Sequence, residues 1–251
     1  MNKREVILTV DGLKISGELY VPGKNIPYPT VCICHGIPSG TIDPGDGGYP
    51  VLAERICRAG FTTFIFNFRG SRNSGGNFDI AGWLRDLRAV IDYLWLQKEV
   101  DRLRLILLGY SAGAAVSINV ASQDNRVSAV ASCACPAELS FIVKEPQQLI
   151  QYFRGIGIIR DPDFPPSVEE WLDGFNKVNA VRAINKLAPR PVLIVHGVND
   201  DLVKVTAAHE LFQAAGEPKK LVLIEGAGHR LRREEKAIDA VLDWLNTNFK
   251  H

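Results

Sequence analysis

The sequence predicts an α/β fold: a mostly parallel central sheet opened by an antiparallel hairpin, with helices on both faces and a small cap insertion. Three observations predict it. Short apolar runs alternate with helical patterns along most of the chain, two alternating runs near the N-terminus are joined by Asp11-Gly12, and one long stretch, 137–190, breaks the rhythm. Apolar runs interleaved with one-sided helices argue for parallel strands covered from both sides.

Taken in order, Arg4 to Val10 and Leu13 to Val21 alternate in polarity around Asp-Gly, a turn signal that pairs them as a hairpin. The later runs are Val31 to Cys34, Thr62 to Phe68, Leu103 to Leu108, Val127 to Cys135, Pro191 to Val195 and Lys220 to Ile224. Between them, Pro50 opens a helix that Gly60 closes at a C′ position. Trp83, Leu84, Leu87, Val90, Ile91 and Leu94 form a one-sided stripe at helical spacing, as do Ile238, Val241, Leu242, Leu245 and Phe249. Each stripe is core packing rather than a cofactor box. The stretch 137–190 is too long for an ordinary crossover loop. Gln147 to Arg154 and Val168 to Asn176 within it read as helical, so a cap inside a single domain of residues 1–251 is expected.

Composition excludes several function classes. Lys and Arg together number 29 against 28 for Asp and Glu, so nothing electrostatic points to nucleic acid or an anionic membrane. No apolar run approaches the ~20 residues that span a bilayer, and Met1 to Glu5 lacks the apolar segment of a secretory signal, so a cytoplasmic location is expected. Of the five cysteines, Cys32 and Cys34 share one run and Cys133 and Cys135 another, while Cys57 stands alone. C-x-C spacing puts each pair on one strand face, as small buried hydrophobes. It lacks the C-x-x-C pattern of a zinc site, so no metal is expected. Gly155 and Gly157 lack the rest of a nucleotide-binding pattern, so no cofactor is expected either. Arg230, Arg232 and Arg233, beside Glu234 and Glu235, read as a solvated helix face.

The sharpest chemical signal is Gly109-Tyr110-Ser111-Ala112-Gly113, set between a strand and an alanine-rich helix. G-x-S-x-G in that context is a nucleophile elbow: a turn too tight for flanking side chains, exposing a serine beside a helix N-terminus. Serine is a weak nucleophile at neutral pH and needs a base. His229, in the turn after Leu221 to Ile224, is the best placed histidine; His209 falls in a helical segment and His251 is terminal. The acid that orients it belongs between the two in the chain. Asp200, past the run Pro191 to Val195, is favoured, with its neighbour Asp201 as rival; one of the two can cap a helix starting near Val203. The loop His35-Gly36-Ile37-Pro38 follows another strand, so the backbone N–H groups of Ile37 and Ala112 are the expected oxyanion donors and His35 is expected to be structural.

With these pieces in order, the sequence resembles the α/β-hydrolase superfamily over essentially its whole length. His35-Gly36, Asn67-Phe68-Arg69-Gly70, the Ser111 elbow, His196-Gly197-x-x-Asp200 and Gly226-x-Gly228-His229 carry the resemblance. The run Phe66 to Phe78 is similar to that of small esterases of the cinnamoyl-esterase-like and serine-aminopeptidase-like groups. The resemblance supports Asp200 through its H-G-x-x-D spacing. It also implies that a strand separates the two C-x-C pairs, which puts them about 10 Å apart at ~4.8 Å per strand, too far for a disulfide. The absence of H-G-G-G sets the chain apart from hormone-sensitive-lipase-like enzymes. Serine at the elbow disfavours dienelactone hydrolase, dehalogenase and epoxide hydrolase chemistry. The expectation is a serine esterase acting on a small-molecule ester or amide through an acyl-serine, with peptidase-like or thioesterase activity and a non-catalytic binding protein as rivals. Phe153 and Ile156, in the apolar part of the cap, are the candidate substrate-lining side chains.

Overall fold

The computed structural model describes residues 1–24, 27–40, 46–143 and 145–250. Among these residues, eight strands form one sheet in the order β1-β2-β4-β3-β5-β6-β7-β8. The strands are β1 (Asn2–Val10), β2 (Leu13–Val21), β3 (Tyr28–Cys34), β4 (Thr62–Phe66), β5 (Val100–Tyr110), β6 (Ala129–Cys133), β7 (Val192–Gly197) and β8 (Lys219–Ile224). The hairpin pairs antiparallel through Val10 and Leu13, β2 joins β4 antiparallel, and every pair from β4 to β8 is parallel. The inner parallel strands β3, β4, β6 and β7 are buried almost throughout, as their near-continuous apolar runs require, while the edge strand β8 is mostly half-buried. The edge strand β1 is mostly exposed and alternates.

Each face of the sheet carries its own core. On one lie α1 (Gly48–Arg58) and α8 (Glu235–Phe249), burying Leu52, Ile56, Val241 and Leu245 against Ile33, Ile106 and Leu193. On the other lie α2 (Ile80–Trp95) and α3 (Ala112–Ala121). The α2 stripe buries Trp83, Leu87, Val90, Ile91 and Leu94, and Asp79 caps its N-terminus through Ala81 N–H. All ten residues of α3 are buried, which explains why it is rich in alanine and why its two polar side chains, Ser117 and Asn119, donate to the carbonyls of Gly113 and Ala115. The stretch 137–190 contains α4 (Pro146–Gly155), α5 (Val168–Lys177) and α6 (Ala180–Ala183), and α7 (Thr206–Ala214) follows β7. Among the described residues no helix is long and apolar enough to cross a membrane.

Four local expectations are corrected. The run Thr62 to Phe68 stops being a strand at Phe66, because Phe68 N–H turns aside to donate to His35 Nε2 at 3.0 Å. The run Val127 to Cys135 ends at Cys133, where Ala134 takes a positive φ of 50°. That turn splits the second C-x-C pair: Cys133 faces the α1/α8 core and Cys135 the opposite one, whereas Cys32 and Cys34 do share a face. The helix placed near Val203 begins at Thr206. All five cysteines are buried free thiols, and β5 lies between β3 and β6.

Candidate active site

Ser111 sits between the end of β5 and the start of α3 with φ 53° and ψ −128°, backbone angles that side chains rarely adopt. The neighbours that hold it there are tightly packed. A Cβ on Gly109 would lie 2.4 Å from Ala114 Cα, and one on Gly113 only 2.2 Å from the His35 carbonyl oxygen. Both glycines are therefore demanded by sterics. Ser111 N–H donates to Cys133 O at 2.9 Å, and its carbonyl accepts from Ala114 N–H at 2.9 Å, so backbone bonds fix the turn on both sides.

His229 lies in the turn after β8 and Asp200 in the turn after β7. His229 Nε2 is 3.0 Å from Ser111 Oγ, and His229 Nδ1 is 2.7 Å from Asp200 Oδ2. Three residues separated by up to 118 positions thus meet at the C-terminal ends of β5, β7 and β8. Gly197 permits the approach of the last two turns, since a Cβ there would lie 2.4 Å from Ala227 O. Asp200 is buried, and its Oδ1 accepts from Leu202 N–H at 3.0 Å and Val203 N–H at 2.8 Å. Burial pushes its carboxyl up, but the bonds from His229 and Val203 outweigh that and hold it below the usual carboxylate range. Asp201 is exposed. One aspartate therefore does both jobs divided between two in the sequence reading: Asp200 fixes the turn and meets the imidazole.

The loop after β3 lies against the elbow. A Cβ on Gly36 would stand 2.8 Å from Ser111 Cβ. Ile37 is half-buried in this loop, and Ala112 is the first residue of α3, where helical N–H groups have no partner within the helix. His35 is buried: Nδ1 donates to Gly36 O at 2.7 Å and Nε2 accepts from Phe68 N–H. Burial lowers its pKa to about 4, so it stays a neutral strut between the loops after β3 and β4. The loop after β4 is locked in turn by Arg69, whose guanidinium reaches buried Asp86 at 2.7 Å and Asp11 at 2.8 Å.

The sequence reading missed a second layer. Arg232, placed there on a solvated helix face, instead sits in a short 3-10 turn, Leu231–Arg233, pairs with Asp46 and lies 5.2 Å over the Tyr49 ring. Tyr49 packs edge-on against Tyr110, the residue before Ser111, with ring centroids 5.8 Å apart. The clue was present only as spacing, three residues beyond His229, with nothing in the chain to name a partner 186 positions away. The two cap candidates part company. Phe153 is a core residue, packed on Phe78 at 4.7 Å and beside Trp171, so its ring anchors α4 in the core. Ile156 is half-buried and faces Gly40 in the loop after β3, where a Cβ would come 2.4 Å from Ile156 Cγ2.

A serine hydroxyl, an imidazole and a buried carboxylate in this order, beside a helix N-terminus, form the arrangement that acyl-transfer hydrolases use. The fold and its likenesses define the class: a serine hydrolase of the α/β-hydrolase fold. Residues 52–251 match the model of the prolyl oligopeptidase family, and the chain belongs to that family. A protein of Mycobacterium tuberculosis without assigned function is 28% identical over 89% of this chain and 71% of its own. Among solved structures, the α/β hydrolase GrgF of a Penicillium species superposes with a TM-score of 0.77 at 18% identity, covering 100% of both chains. Est1E of Butyrivibrio proteoclasticus, solved with bound ferulic acid, gives 0.77 at 22% identity, covering 96% of this chain and 98% of its own.

Proposed function

We propose that the protein hydrolyses carboxylic esters of small molecules through an acyl-serine intermediate. The observation that carries the reading is the continuous Ser111–His229–Asp200 relay, with separations of 3.0 Å and 2.7 Å. In this reading Ser111 Oγ attacks the carbonyl carbon as His229 Nε2 takes its proton. The tetrahedral oxyanion is met by the N–H groups of Ile37 and Ala112. His229 returns the proton to the leaving oxygen, then activates a water that releases the acid. Asp200 keeps the Nδ1–H tautomer and stabilises the imidazolium. No cofactor takes part.

We further propose that residues 1–251 act as one domain in which the segment 137–190 is a cap, with Ile156 closing over the loop that carries Ile37. The cap is laced to the loop after β4: Arg160 donates to the carbonyls of Gly70, Arg72 and Ser74, and Trp171 Nε1 to Phe78 O at 3.0 Å. Five buried free thiols accord with a reducing, cytoplasmic setting.

A second reading changes the bond, not the machinery: an amide or peptide, favoured by membership of the prolyl oligopeptidase family. The esterase reading draws on the likeness to Est1E. A panel of 4-nitrophenyl esters and aminoacyl 4-nitroanilides, each run against wild type and Ser111→Ala, separates them. Turnover of esters above amides that vanishes in the variant supports the ester reading. Faster turnover of amides moves the protein to the second, and Ser111-independent turnover removes both.

A further inference from the structure

A groove of about 300 Å³ crosses the first four strands on the α1 side. Its floor follows the strand period: Ser16 and Glu18 on β2, Ile33 leading to His35 on β3, and Ile65 leading to Asn67 on β4 point the same way. Tyr49 and Pro50, in the first turn of α1, form one wall, and Arg72 and Asn73 close the end above β4. The inner end, at His35 and Tyr49, is one residue from the reacting atoms. Tyr49 packs edge-on against Tyr110, the residue before Ser111, and Gly36, the residue after His35, packs on Ser111.

Four charged side chains line the groove, Glu5 and Glu18 against Lys14 and Arg72, so the charges nearly balance over its length and differ in how each is held. Glu18 is ion-paired to Lys3 at 3.1 Å and accepts from the Tyr20 hydroxyl. Arg72 is exposed, and among the described residues its guanidinium has no ion-pair partner. Its backbone is nevertheless firmly placed: φ is 47°, and its carbonyl accepts from Arg160 at 2.8 Å. Its charge reaches His35, where it disfavours protonation. A planar, permanently charged donor with spare hydrogen bonds, flanked by two carboxamides, is suited to a carboxylate.

We infer that this groove is a second substrate subsite and that Arg72, with Asn67 and Asn73, binds a carboxylate carried by the substrate. The natural substrate class is then an ester whose acyl or alcohol part is itself an anion. The inference rests on the reading of Ser111 as the acyl-transfer nucleophile.

The test compares kcat/KM on two matched pairs: 4-nitrophenyl hexanoate against mono-4-nitrophenyl adipate, and phenyl butyrate against 4-carboxyphenyl butyrate. Wild type, Arg72→Ala, Arg72→Gln and Arg72→Lys are measured, with spontaneous hydrolysis subtracted. The charged-to-neutral ratio in one pair should fall about 10-fold or more in Arg72→Ala and Arg72→Gln, mainly through KM, and less in Arg72→Lys. The pair affected tells which side of the scissile bond enters the groove. Ratios that stay within about 2-fold of wild type in both pairs overturn the subsite while leaving the esterase reading intact. If wild type hydrolyses neither neutral ester, the esterase reading fails and the subsite falls with it.

Discussion

Asp200 divides its two carboxylate oxygens between two tasks: Oδ2 meets His229 Nδ1 at 2.7 Å, and Oδ1 takes the N–H groups of Leu202 and Val203. The second task keeps the first in register. An amide at this position can still accept one bond but no longer enforces the imidazole tautomer. Asp200→Asn should therefore lower kcat by about 10⁴, the loss seen for the equivalent change in a related triad. Asp201→Asn, on an exposed side chain, should stay within a few-fold of wild type. Steady-state rates of the two variants decide it, and the opposite ranking would move the acid to Asp201.

His35 gives stability a pH dependence of predictable sign. Its pKa falls from 6.5 to about 4 on folding, so above 6.5 neither state is protonated and its contribution is complete. As pH drops below 6.5 the unfolded chain takes up a proton that the folded one refuses, and stability is lost until pH nears 4. Between pH 7 and 5 this amounts to about 2 kcal/mol. Buried His196, also shifted down by desolvation, acts in the same direction. Urea unfolding at the two pH values should show the loss in wild type and a smaller one in His35→Gln. An unchanged difference would mean that His35 does not carry it.

The Arg232–Asp46 pair ties the turn after His229 to the entrance of α1, with side chains 21% and 13% exposed. Arg232→Gln leaves Asp46 unpaired, which should cost about 1–2 kcal/mol, between the values for surface and buried pairs. It also frees the Tyr49 ring that backs Tyr110. Both thermal midpoint and kcat should drop, whereas Arg230→Gln, on an exposed side chain, should leave both near wild type. Equal behaviour of the two variants would return Arg232 to the solvated surface.

Much of this arrangement was legible in the chain, for physical reasons that differ by element. Asp11-Gly12 sets the hairpin because its turn needs a positive φ at both residues, observed as 52° and 76°. The elbow is legible because two steric demands fall within five residues. Arg232 was not, because an ion pair across the fold leaves no local pattern. Phe153 was misread for a related reason: an apolar side chain in a cap looks the same whether it faces a pocket or, as here, Phe78 and Trp171. The split of Cys133 from Cys135 turns on a single positive φ at Ala134, which alanine does not advertise.

The two cap residues should accordingly differ when changed. Phe153→Ala removes a ring packed at 2% exposure and should cost about 3–5 kcal/mol in denaturant unfolding. Ile156→Ala, half-buried against the loop of Ile37, should cost less and instead change kcat/KM between short and long acyl esters. A uniform loss on all chain lengths in Ile156→Ala would make its role purely structural.

Covalent labelling reads the activation of the Ser111 hydroxyl most directly. Wild-type protein treated with a fluorophosphonate and digested should carry the adduct, by mass spectrometry, on the peptide containing Ser111. Labelling should be lost in Ser111→Ala and strongly slowed in His229→Ala, whose imidazole lies 3.0 Å from the hydroxyl. No adduct on the folded wild-type protein, or an adduct on another serine that persists in Ser111→Ala, would mean that Ser111 is not the activated nucleophile.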